Sequence, residues 1–64
     1  MKRNQLIKYL LTNGCIFKRE GSEHSIYMNV KTRKRVAVPR HSEIKDTLCN
    51  VICKQAGIPK IKGE

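Results

Sequence analysis

The stretch Gly21-Ser22-Glu23-His24-Ser25-Ile26-Tyr27 decides how this chain is read. Gly21 accepts positive φ and Ser22 supports local backbone hydrogen bonds, so Glu20 to Glu23 is turn chemistry. His24 to Val30 follows, with the β-branched and aromatic content of a strand. One histidine therefore stands just past a tight turn, at the mouth of a strand. Ile26, Met28 and Val30 share one parity of that strand, and Ser25, Tyr27 and Asn29 share the other. Apolar groups on both parities leave the inward face open, although Ile26, Met28 and Val30 are the larger set.

Upstream, Cys15-Ile16-Phe17-Lys18-Arg19 reads as a short strand, with Phe17 in the core. Before it, Asn4 to Asn13 reads as a helix. Leu6, Ile7, Leu10 and Leu11 form one apolar stripe with Tyr9 beside it. Asn4 is the candidate N-cap, and Gly14 sits where a left-handed residue closes a helix. Downstream, Lys31-Thr32-Arg33-Lys34 is a basic turn. Arg35-Val36-Ala37-Val38 is a third strand that Pro39 ends, and Arg40 to Lys45 is a connecting loop. A second helix runs from about Thr47 to Gln55, capped by Asp46 or Thr47, with Leu48, Val51 and Ile52 as its buried stripe. Gly57-Ile58-Pro59 stops it: a C′ glycine, a hydrophobic residue that folds back, and a proline that cannot continue.

The order is α-β-β-β-α. Three short strands with tight links form an antiparallel meander, and two amphipathic helices can cover one face of it. This is the α+β architecture of a double-stranded-RNA-binding domain, whose other face stays open to a flat, long ligand. Sixty-four residues make one domain over 1–64, with a short polar tail at 59–64 and no room for a second domain. A chain this short buries only about 60% of its unfolded surface. That excludes a deep, walled substrate cavity and leaves a shallow site, a cleft against a partner, or plain binding.

Fourteen Lys and Arg stand against five Asp and Glu, for a net charge of +9. They are scattered from Lys2 to Lys62 and not gathered in a tail, which gives a folded domain a broad positive surface. Such a surface concentrates phosphate-bearing ligands. Nucleic acid is the leading partner class, ahead of a membrane surface or an acidic protein; the bland alternative is a basic surface kept for solubility. Tyr9, Phe17 and Tyr27 are too few and too spread for a platform that stacks single-stranded bases.

Cys15, Cys49 and Cys53 make an odd number of thiols, the start of the chain does not read as a signal peptide, and no segment approaches the length of a membrane span. A reduced cytoplasmic protein with free thiols is expected. Cys49 and Cys53 fall on adjacent turns of one helix face. With Cys15 and a histidine they nominally make a zinc set, but Cys-x-x-x-Cys inside an amphipathic helix is not a usual zinc spacing. Small buried hydrophobes are the better reading, and neither metal nor cofactor is expected.

In this order and spacing the residues resemble the HicA-type toxins, small ribonucleases of bacterial toxin–antitoxin pairs. Leu6 to Gly14 is similar to the family's opening helix and closing glycine. Gly21-Ser22-Glu23-His24 resembles the signature that carries the active histidine. Val36-Ala37-Val38-Pro39-Arg40-His41 resembles the third strand with its trailing proline and histidine. Thr47-Leu48 and Ile52-Cys53-Lys54-Gln55-Ala56-Gly57-Ile58 resemble the last helix. Two departures stand out. Many members carry two adjacent histidines where this chain has Glu23-His24, and many carry a glycine where Asp46 stands.

The resemblance implies a toxin that acts as a metal-independent RNA endonuclease, an mRNA interferase, with His24 as its catalytic residue. Near neutral pH a histidine can take a proton from a ribose 2′-hydroxyl or give one to a leaving oxygen. RNA supplies its own nucleophile, so no serine or cysteine is needed for the attack. Lys18, Arg19, Arg35 and Arg40 are candidate RNA-binding residues, because their elements abut the His24 strand and cations neutralise charge that builds on the phosphorane; Gly21 and Ser22, in the signature that the resemblance supplies, are RNA-binding candidates with them. His41, in a Pro-Arg-His turn, reads as a loop or capping residue in preference to a second catalytic group, with phosphate binding as the other option. The resemblance further implies a HicB-type antitoxin that covers His24, with the toxin monomeric when free and part of a hetero-oligomer when held. The alternative is a non-catalytic RNA-binding module of the same fold; an inhibitor of an acidic enzyme is more distant.

Overall fold

A computed structural model describes residues 1–61. Helix α1 spans Arg3–Thr12, followed by strands β1 (Cys15–Glu20), β2 (His24–Asn29) and β3 (Arg35–Pro39), and helix α2 (Asp46–Ala56). The strands form one antiparallel sheet in the order β1-β2-β3. The helices cover one face of it, α1 packing along β1 and α2 along β3. The expected α-β-β-β-α architecture is the observed one. The expected tail at 59–64 is only partly covered by the described residues, since 62–64 lie outside them. Its described part is tethered: the Tyr9 hydroxyl donates to the Pro59 carbonyl, and the Ile61 N–H donates to Asn50 Oδ1.

Both helices end as their glycines require. Gly14 has φ +89° and Gly57 has φ +76°, values a side chain rarely adopts. At Gly57 the closing bonds run from Ile58 N–H to the Cys53 carbonyl and from Gly57 N–H to the Lys54 carbonyl, the Schellman pattern. Ile58 folds back onto the core. The starts fall earlier than the sequence suggests. Lys2 and Lys45 are the N-cap residues, and neither supplies a capping side-chain acceptor. Asn4 and Thr47 lie inside the helices. Asp46, in the first turn of α2, complements the helix dipole instead.

Two buried stripes differ from those expected. In α2 the buried residues are Cys49, Ile52, Cys53 and Ala56, whereas Leu48 and Val51 are 40% and 48% exposed. The helix carries two overlapping apolar stripes. The one at 49, 52, 53 and 56 extends over two full turns, so it covers more of the sheet than the stripe at 48, 51 and 52. In β2 the inward residues are Ser25, Tyr27 and Asn29, and the larger apolar set points the other way. Tyr27 fills the core, and the two polar groups are not orphaned. Asn29 Nδ2 donates to the Ala56 carbonyl at 2.8 Å, and its Oδ1 accepts from the N–H groups of Lys31 and Thr32. Asn29 thus joins the end of α2 to the β2–β3 turn. That turn contains Arg33 with φ +66°.

The core gathers Leu6, Leu10, Cys15, Tyr27, Val36, Val38, Ile44 and the α2 stripe. Leu11 faces out, and Phe17 is 51% exposed. Phe17 is not the core residue its type suggests. It lies on the helix side of an edge strand and packs edge-on against Tyr27, with ring centroids 5.6 Å apart. The three cysteines are buried and unpaired, as small hydrophobes.

Candidate active site

The β1–β2 hairpin brings the Gly21–His24 segment to one end of the sheet. Gly21 N–H donates to the His24 carbonyl at 2.7 Å, which closes the turn. A Cβ at Gly21 would lie 3.0 Å from that same oxygen. A side chain here would press on the histidine's own backbone, which would have to give by a few tenths of an ångström. His24 opens β2 and pairs with Pro39 of β3. Ser25 points inward, so alternation sends the His24 side chain to the open face, where it is exposed.

His24 lines a shallow cleft of about 480 Å³ with Ser22, Glu23, Pro39, Arg40 and His41. Four of the expected site residues meet at this end of the sheet: Ser22, His24 and Arg40 in the cleft wall, and Gly21 beneath it. The other three stand apart. Lys18 is the extra residue of a β-bulge between Phe17 and Arg19. Arg19 pairs with Ile26 and shares the open face with His24. Arg35 pairs with Met28, four residues along β2 from His24, or about 13 Å at the rise of a strand. These cations flank the open sheet face and do not line the cleft.

A polar network beneath the cleft escaped sequence reading. The Arg3 guanidinium donates to the Pro39 carbonyl at 2.8 Å and to Ser25 Oγ at 2.7 Å. Ser25, only 2% exposed, donates onward to Glu20 Oε1 at 2.9 Å. The other oxygen of Glu20 pairs with Arg40, and Arg40 also donates to the Gly21 carbonyl. Arg3 and Ser25 thus hold the two strands on which His24 and Pro39 lie, and Arg40 holds the turn. The turn read from the sequence, Glu20 to Glu23, sets Arg19 opposite His24, so the Glu20–Ser25 pair emerges only in the observed register. Nothing local marks Arg3, which arrives from α1. Arg40 is committed to Glu20 and Gly21, so its charge is partly spent inside the protein. Glu23 forms no ion pair among the described residues, and it leaves a negative charge beside His24.

His41 occupies a loop fixed on both sides. Arg40 is anchored as above, and the Ser42 carbonyl accepts from Arg3 N–H at 2.9 Å. Neither imidazole has a hydrogen-bond partner among the described residues. The cysteines lie away from this surface, and burial pushes each thiol up from its ordinary value. Among the described residues no group of three His, Cys, Asp or Glu is placed to hold a metal ion.

Residues 3–58 match the family described as HicA toxin of bacterial toxin–antitoxin. The chain belongs to the HicA toxin family. Membership makes it a toxin of a toxin–antitoxin system and implies an antitoxin partner. The matched region contains every element of the fold and every residue of the cleft. No curated protein and no solved structure matches the chain. No helix among the described residues is long and apolar enough to cross a membrane.

Proposed function

We propose that this HicA-family chain is an endoribonuclease that cleaves mRNA without a metal ion and so blocks translation. The observation that carries the reading is the exposed imidazole of His24, held at a cleft on a domain of net charge +9. His24 takes the proton of a ribose 2′-hydroxyl, and the 2′-oxygen attacks the adjacent phosphorus. The chain breaks with a 2′,3′-cyclic phosphate on one side and a free 5′-hydroxyl on the other. Ser22 and the Gly21 turn border the scissile phosphate. Lys18, Arg19 and Arg35 hold the flanking backbone along the open face, and Arg40 shapes the cleft wall. A general base supplies roughly 10²–10⁴-fold, a modest contribution that suits a toxin.

The antitoxin, a HicB-type protein, covers His24 in this reading. The toxin is a monomer when free, enters a hetero-oligomer when held, and acts in the cytoplasm. The test is cleavage of mixed-sequence RNA in the presence of a chelator. Cutting that disappears in His24→Ala, together with loss of growth arrest on expression, supports the assignment. Cutting that persists in purified His24→Ala overturns it. The placement of Arg19 and Arg35 on an open sheet face favours a second reading, a non-catalytic RNA-binding module. Intact RNA with salt-sensitive binding by the unaltered chain would select that one.

A further inference from the structure

We infer that His41 is a second proton-transfer residue of the same cleft and donates to the departing 5′-oxygen. The inference rests on the ribonuclease reading above and deepens it. Breaking a phosphodiester by 2′-hydroxyl attack moves one proton off the 2′-oxygen and needs one at the 5′-oxygen. As the O2′–P bond forms and the P–O5′ bond breaks, an alkoxide departs unless it is protonated. An imidazole that has accepted the first proton on one side of the phosphorus is poorly placed to deliver it on the other. Two imidazoles in one cleft remove that difficulty.

Three observations support this role for His41. It lines the same cleft as His24, although the two lie 17 residues apart in sequence. Its imidazole, like that of His24, has no hydrogen-bond partner among the described residues, so both rings are free to exchange protons with a ligand. Its backbone is held by both neighbours. Arg40 ties to Glu20 and the Gly21 carbonyl, and the Ser42 carbonyl accepts from Arg3 N–H. The anchors sit on the hairpin that carries His24 and on the start of α1, so the spacing of the two histidines is set by the sheet and not by a mobile loop. In the step, His24 gains the 2′-proton while protonated His41 loses one to O5′. The sum is a proton moved from O2′ to O5′, with no water or oxidant consumed.

The test compares an ordinary RNA dinucleotide linkage with one in which sulfur replaces the bridging 5′-oxygen. A thiolate leaves without protonation, so a missing general acid no longer matters. His41→Ala should lose about 10²-fold or more on the ordinary linkage and return to within several-fold of the unaltered protein on the sulfur linkage. His24→Ala should stay inactive on both. His41→Gln, which preserves size and polarity, should behave as His41→Ala does. Full activity of the His41 variants on the ordinary linkage, or a loss the sulfur linkage does not restore, overturns the role of His41 and leaves that of His24 intact. Undiminished cutting by His24→Ala instead overturns the ribonuclease assignment to His24 itself.

Discussion

Arg40, just past β3, forms an ion pair with Glu20, the last residue of β1. The two strands are the opposite edges of the sheet, and the pair bridges them across the end of β2 where His24 begins. Both side chains are about half exposed, so the charge attraction itself is worth less than about 1 kcal/mol. Glu20 has a second task, as acceptor for the buried Ser25 hydroxyl. Glu20→Ala is therefore expected to cost more than Arg40→Ala, about 1–2 kcal/mol against less than about 1. Urea unfolding of the two variants gives the order, and a larger loss for Arg40→Ala would refute it.

The commitment of Arg40 also bears on RNA affinity. Removing a cation that neutralises one phosphate should lower the slope of log affinity against log salt by about 1. Lys18→Ala and Arg19→Ala should each show such a decrease, because their charges are free of partners among the described residues. Arg40→Ala should change the slope less, since its charge is already paired with Glu20. Filter binding of RNA by the His24→Ala background at several salt concentrations measures all three.

At Gly21 even one methyl group presses on the His24 carbonyl, 3.0 Å away. Gly21→Ala should shift the start of β2 while leaving the core unaltered. Its stability should fall by about 1 kcal/mol, whereas RNA cleavage should fall roughly 10- to 100-fold, the usual effect of displacing a reacting group by a fraction of an ångström to an ångström. A loss of stability large enough to account for the lost cutting would argue against this cause.

Asn29 is expected to be the most costly polar residue to remove. Asn29→Ala removes the buried 2.8 Å bond to the Ala56 carbonyl, leaving it only the Thr32 hydroxyl at 3.5 Å, and takes the acceptor from the N–H groups of Lys31 and Thr32. The expected loss is about 2–3 kcal/mol, read as a lower urea midpoint. Asn29→Asp removes the donor and buries a charge, so it should be at least as damaging.

Cys15, Cys49 and Cys53 give the pH prediction. Burial raises all three thiols above the reference value of 9.0. The unfolded chain then loses these protons before the folded chain does. Stability is fully present below the unfolded thiol value and is lost as pH rises through the raised folded values. Unfolding midpoints should decline above about pH 9, and the decline should shrink in a Cys49→Ala, Cys53→Ala double variant. A disulfide reagent at pH 8 should react slowly with the folded chain and rapidly once urea is added.

The element order, the two glycine helix ends and the turn before His24 were legible because each depends on local chemistry. Gly57-Ile58-Pro59 encodes its stop within three residues. What local pattern could not settle was which of two overlapping stripes wins. In α2 the longer stripe displaced Leu48 and Val51 to the surface. In β2 the more polar parity turned inward, because Asn29 finds the Ala56 carbonyl 27 residues away and Ser25 finds Arg3 in another element. The same holds for the site. His24 stands out by its turn, whereas the separation of Arg35 from it depends on register, and the nearness of His41 depends on how the β3–α2 loop is tied down.

The bulge at Lys18 settles a question of counting. Phe17 pairs with Tyr27 and Arg19 with Ile26, consecutive residues on β2, so Lys18 is a residue the ladder skips. Had the strand run without a skip, Glu20 would fall on the odd side of the alternation and point away from Ser25. The extra residue restores even parity just before the turn. It thereby lets a carboxylate reach beneath the sheet while the histidine four positions later rises above it. The hairpin is thus an odd-numbered insertion device, in which one surplus residue divides the supporting charge from the reactive one.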